Sequence, residues 1–177
     1  TVGAIALGQF HYPDTVTGAM VAARSGHTAT LLPNGVVVLT GGQGGSGPLA
    51  SAELFNPTDD KFHATGPMAT ARTGHTATLL PDGQVLIAGG QDGSGGPVLS
   101  AELYNPSTQT FSATGPMAAA RYWHVADRLG DGRVLVVGGT GATSYLTSSE
   151  TYDPSTGAWT TRGALTVGRT RHGGALL

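Results

Sequence analysis

The chain has 177 residues, 29 of them glycine and none cysteine, with 11% charged residues and a formal net charge of −2. That length holds one domain with its own core, and the lack of cysteine excludes disulfides, cysteine zinc sites and thiol catalysis within it. Eight arginines and the single Lys61 are scattered, which argues against nucleic acid, and no apolar run approaches the roughly 20 residues of a membrane span.

Residues 1–19 are the least regular stretch. Ala4 to Leu7 has strand character, and Tyr12-Pro13-Asp14 followed by Gly18-Ala19-Met20 resembles a shortened repeat end, able to supply C–D strands of a shared blade. From Met20 a period sets in: Met20, Met68, Met117 and Leu165 fall 48, 49 and 48 residues apart. The period divides the chain into units 20–67, 68–116 and 117–164 and a start of a fourth at 165–177. A repeat of this length must be read before any single motif.

Each unit reads as four strands. Strand A covers His27 to Leu32, His75 to Leu80 and His124 to Leu129. Pro33-Asn34-Gly35, Pro81-Asp82-Gly83 and Gly130-Asp131-Gly132 then form hairpin turns, because Asn-Gly and Asp-Gly tolerate positive φ. Strand B (Val36 to Thr40, Val85 to Ala88, Val134 to Val137) is apolar at nearly every position, so both its faces are expected to be buried. A double glycine stops it at 41–42, 89–90 and 138–139. Strand C (Ser51 to Phe55, Ser100 to Tyr104, Ser149 to Tyr152) ends in Asn-Pro or Asp-Pro, a turn signal. Strand D is polar around one aromatic, Phe62, Phe111 or Trp159, as suits an exposed edge. The fold class is therefore all-β, with four-stranded antiparallel blades that stack around an axis as a propeller.

The double glycines, the Tyr or Phe that closes strand C and the aromatic of strand D resemble kelch repeats over residues 20–172. The Arg-x-x-His-Thr-Ala-Thr-Leu-Leu-Pro-Asp-Gly phrase is similar to kelch propellers of bacterial exported proteins and of galactose-oxidase-like enzymes. The resemblance implies a closed ring, usually of roughly six or seven blades. Three complete blades with partial segments at both ends would then be part of a larger propeller, completed by a second copy or by sequence beyond these residues.

Arg24, Arg72, Arg121 and Arg169, with His27, His75, His124 and His172, recur once per unit, as do Glu53, Glu102 and Glu150. A ring of such groups could bind an anion or a metal. Their recurrence favours architecture, with Arg and His bonding loop carbonyls between blades and Glu pairing with Arg. The glycine-rich loops after the double glycines carry no Lys-Ser/Thr of a phosphate loop, and Asp92 and Asp59-Asp60 lack the ligand density of a calcium loop.

The third unit breaks the pattern. Tyr122-Trp123 stands where the others have Ser25-Gly26 and Thr73-Gly74, and Asp127-Arg128 replaces Thr30-Leu31 and Thr78-Leu79. Tyr122, Trp123, Asp127 and Arg128 are the candidate ligand-binding residues, since aromatic faces beside polar groups suit a sugar or peptide. Packing against an irregular neighbour is the competing explanation. No catalytic, cofactor or metal residue is assigned. The expected function is a non-catalytic scaffold for a protein or carbohydrate, outside the cell or at its surface. The alternatives are the propeller portion of a galactose-oxidase-like copper enzyme, whose cross-linked cysteine this chain lacks, and a structural subunit of a surface assembly.

Overall fold

The computed structural model describes residues 18–174, and the regular elements along them are strands. The first blade is built from β1 (Thr28–Leu31), β2 (Val37–Thr40), β5 (Ala52–Asn56) and β6 (Lys61–Thr65), with a small hairpin, β3 (Gln43–Gly44) and β4 (Gly47–Pro48), inserted in its loop. The second comprises β7 (Thr76–Leu79), β8 (Val85–Ala88), β9 (Ala101–Asn105) and β10 (Thr110–Thr114). The third comprises β11 (Val125–Arg128), β12 (Val134–Val137), β13 (Ser149–Asp153) and β14 (Ala158–Thr161). In each blade the strands pair antiparallel in sequence order.

The register repeats too. Thr28 faces Thr40, Thr76 faces Ala88 and Val125 faces Val137, so the three inner hairpins superpose residue for residue. The repeat also fixes where the core sits. One cluster joins Leu32, Val38 and Met68 to Val85, Ile87 and Tyr104, and so lies between blades one and two. The other joins Leu80, Leu86, Ala88, Ala101 and Met117 to Val134, Val136 and Tyr152, between blades two and three. Successive residues of a strand point to opposite faces, so β8 sends Val85 and Ile87 to one neighbour and Leu86 and Ala88 to the other. This is the physical reason for its unbroken apolar run. Among the described residues both hydrophobic clusters belong to the junctions between blades.

The aromatic residues of strands C and D tie the outer parts together. Phe55–Phe62, Tyr104–Phe111 and Tyr152–Trp159 pair with ring centroids 5.1, 4.8 and 5.1 Å apart. The Tyr104 hydroxyl bonds Thr65 of the preceding blade at 3.0 Å, and Tyr152 bonds Thr114 at 2.8 Å.

The expected shared-blade strands of residues 1–19 fall, apart from Gly18 and Ala19, outside the described residues. In the fourth unit, Leu165 to Gly174 forms the approach to a strand. The strand itself, by the repeat spacing, would begin at the edge of the described residues.

Candidate functional site

The arginines hold the junctions. The Arg72 N–H donates to the Leu49 carbonyl at 3.1 Å, and its own carbonyl accepts from the Gly42 N–H at 2.9 Å, both in blade one. Its guanidinium enters blade two. There it donates to the carbonyls of Gly89 and Ser100 at 2.7 and 3.0 Å, to the Ser100 hydroxyl at 3.0 Å and to Glu102 at 2.7 Å. Glu102 also accepts from the N–H groups of Ala69 and Thr70, closing the crossing segment onto the new blade. Arg121 repeats the arrangement between blades two and three, with Glu150 at 2.8 Å. Arg24 bonds Gly41, Ser51 and Glu53 within blade one. The side chains therefore bind carbonyls of their own unit, while the backbones bind the previous one. Buried charges persist when geometry and hydrogen bonds satisfy them. The terminal nitrogens of all three guanidinium groups are so satisfied, and Arg72 Nε bonds the Thr70 carbonyl, while Nε of Arg24 and of Arg121 is buried without a partner among the described residues. The double glycine is needed for the same contact: a Cβ at Gly41, where φ is +58°, would stand 2.5 Å from the Arg72 carbonyl oxygen.

The histidines reach the other way. His75 Nε2 lies 3.0 and 2.9 Å from the hydroxyls of Thr28 and Thr40 in the preceding blade, and His124 Nε2 lies 2.9 Å from Thr76. Burial, then the guanidinium of Arg72 and His27, push His75 down to about 3. Burial, then Arg121, His75 and His172, do the same to His124. Burial acts to raise Glu53, but the N–H groups of Ala22 and Val21 and the Arg24 guanidinium outweigh it and leave the carboxyl below its ordinary value. Among the described residues, no three His, Cys, Asp or Glu side chains come together to hold a metal ion.

The candidate ligand residues do not form one group. Tyr122 and Trp123 precede β11, on the face that carries the strand B to strand C loops. Arg128 is five residues on from Trp123, and the strand between them, at about 3.3 Å per residue, carries it away from this face. Arg128 lies at the opposite face, in a cleft with Pro81, Leu129, Gly130, Asp131 and Gly132. Asp127 is half-buried on β11 opposite Leu135. Trp123 is not an open stacking surface either. It occupies the left-handed region at φ 51°, where Gly26 and Gly74 stand at φ 60° and 62°. Its indole lies where a Cβ on Gly74 would be, 2.6 Å away, and the Arg171 guanidinium covers it at 3.4 Å from the ring centroid. Arg171 takes the same left-handed conformation, at φ 51°. Such strain in residues with a Cβ costs roughly 1–3 kcal/mol each and persists only where the surroundings impose it.

Tyr122 alone of the four lines a cleft of about 450 Å³ on this face, with Thr140, Gly141, Ala142, Thr143, Ser144 and Tyr145. The Tyr122 and Trp123 rings are 4.8 Å apart. Tyr145, Thr140 and Arg171 are absent from the reading of the sequence: Tyr145 lies in a loop of varying length, whereas Thr140, in the place of Gln43 and Gln91, and Arg171, in that of Gly26, Gly74 and Trp123, are departures the repeat does mark. The opposite face carries a cleft of about 390 Å³, but its walls are the recurring turns Pro33-Asn34 and Asp82-Gly83-Gln84 with Asn105-Pro106.

Comparison with known proteins agrees with this architecture. The family model of the kelch motif matches residues 72–118 and 129–164. Among solved structures, that of YjhT superposes with a TM-score of 0.70 at 13% sequence identity, over 81% of this chain and 53% of YjhT. The chain thus spans about half the length of that neighbour. Curated proteins offer no match to the sequence.

The histidines set the acid response. Below pH about 6.5 the unfolded chain protonates His75 and His124, whereas the folded chain keeps them neutral down to about 3. Stability is therefore expected to fall with pH across that window, by about 1.4 kcal/mol per pH unit for each histidine. Glu53, whose folded value is depressed, adds a further loss as pH drops below its ordinary 4.5. Urea unfolding over this range should show the slope, and His75→Gln should remove one histidine's share. An unchanged slope would contradict the assignment.

Proposed function

Since this chain belongs to the kelch-repeat β-propeller family, we propose that it acts as a non-catalytic binding scaffold, outside the cell or at its surface, presenting the rim of blade three to a protein or carbohydrate. One observation carries the proposal. The arginine, glutamate and histidine groups that recur from blade to blade make their hydrogen bonds at the junctions, and the departure at Tyr122 places an aromatic ring in the wall of a cleft. Shared demands explain shared residues. A change confined to one blade, made in spite of left-handed strain at Trp123, has a local purpose.

The ring itself needs a further blade. The Arg169 backbone docks on blade three as Arg72 and Arg121 dock on theirs, bonding Gly139 at 2.8 Å and Leu146 at 3.4 Å. Its side chain is exposed, whereas Arg24, Arg72 and Arg121 are buried in receptors of glycine carbonyl, serine and glutamate. All three receptors among the described residues are filled, so the described part of a second copy offers Arg169 no vacant place. Sedimentation of the 177-residue chain over a dilution series is expected to give the same mass distribution for wild type and Arg169→Ala. A discrete dimer dissolved by that substitution would contradict this.

The scaffold reading is tested by arrays of glycans, peptides and proteins probed with the chain and with Tyr122→Thr/Trp123→Gly, which installs the residues of blade two. Ligands retained by the chain and lost by the variant are the expected result. Equal retention, or a ligand recovered chemically altered, would contradict it.

A further inference from the structure

The cleft on blade three belongs to a three-residue ladder that recurs in every blade. In blade one Ser25 pairs with Gln43, and Gln43 with Pro48. In blade two Thr73 pairs with Gln91, and Gln91 with Pro97. In blade three Tyr122 pairs with Thr140, and Thr140 with Tyr145. Directly paired residues point to one side of a ladder. All three positions therefore change together, from hydroxyl, Gln and Pro to Tyr, Thr and Tyr. The two phenol rings stand two ladder steps apart, about 10 Å between backbones, with a threonine hydroxyl between them.

Resting on the scaffold reading above, we infer that this cleft is a subsite for a neutral saccharide, one sugar ring being held between Tyr122 and Tyr145. Three features select that chemistry. Tyr145 is 61% exposed and Tyr122 is partly so, which leaves aromatic surface for the C–H face of a pyranose. The other polar side chains lining the cleft are the hydroxyls of Thr140, Thr143 and Ser144. The hydroxyls of Thr143 and Ser144 both donate and accept, as sugar hydroxyls require of a partner, and that of Thr140, which donates to Thr170, accepts. Among the described residues no charged side chain lines the cleft, and the nearby Arg171 is engaged on Trp123. A charged ligand would lack a counter-ion there.

Trp123 acts as the brace. Wedged against Gly74 and covered by Arg171, it fixes the backbone from which Tyr122 projects, and Thr140 is held from the other side by its bond to Thr170 at 2.9 Å. Aromatic anchors and hydroxyls set on a rigid scaffold need little ordering when a ligand arrives.

The test is titration calorimetry of the full 177-residue chain with cellohexaose, laminarihexaose, xylohexaose, mannohexaose and maltohexaose at millimolar concentrations. Hexagalacturonate and decaproline serve as the charged and peptide probes. At least one neutral hexasaccharide is expected to bind. Tyr122→Thr and Tyr145→Pro, which install residues that blade two already tolerates, should each weaken it about five- to tenfold, and Arg128→Ala should not. Failure of all five neutral probes would overturn the inference, as would affinity unchanged in both tyrosine variants. Binding of hexagalacturonate or decaproline alone, lost in those variants, would overturn the saccharide class and leave the scaffold reading standing. Binding lost in Arg128→Ala alone would move the site to the opposite face.

Discussion

The crossing arginine is the interaction on which the rest of the structure depends. A four-stranded blade this small cannot bury two apolar faces alone, so it must be fixed at the correct angle to its neighbour. Arg72 and Arg121 do this with backbone on one blade and guanidinium in the next. A charge buried without partners would be strongly destabilising, but here the carbonyls, the serine and the glutamate are all placed by the same repeat. The double glycine and the Ser-x-Glu of strand C are consequences of that one contact.

Much of this was legible in the residues. The period, the apolar second strand and the Asn-Gly and Asp-Gly turns specify blades, and the equal spacing of Arg and Glu points to their pairing. What the period does not say is that Arg72 serves two blades at once, since a repeat shows which residues recur and not which neighbour they reach. The rim of blade three shows the limit more sharply. Tyr122 stands out because it breaks a repeated phrase. Tyr145 lies in a loop whose length and sequence differ from blade to blade, so no register marks it. Trp123 looks like an exposed partner for ligands until its left-handed backbone and the Arg171 stack are seen. Asp127 and Arg128 are near Tyr122 in sequence, but an extended strand carries them toward the other face.

A division of labour results. Residues common to all blades are fixed by the junctions and have little freedom to vary. The loops at the two faces carry no such duty, and there a single blade can change three paired positions together without disturbing its strands. The hydrophobic clusters between blades, rather than any one blade, supply the rigidity that makes such a rim useful for recognition.

Hydrogen exchange of the Arg72→Lys variant tests the central claim most directly, because lysine keeps the charge but, with three donors on one nitrogen, cannot bond both carbonyls, the serine and Glu102 together. The account predicts lost protection in β1, β2 and the segment 66–75, with β12 and β13 unchanged behind the intact Arg121 contact. Protection that falls evenly over all three blades, or does not fall at all, would contradict a rivet between neighbours.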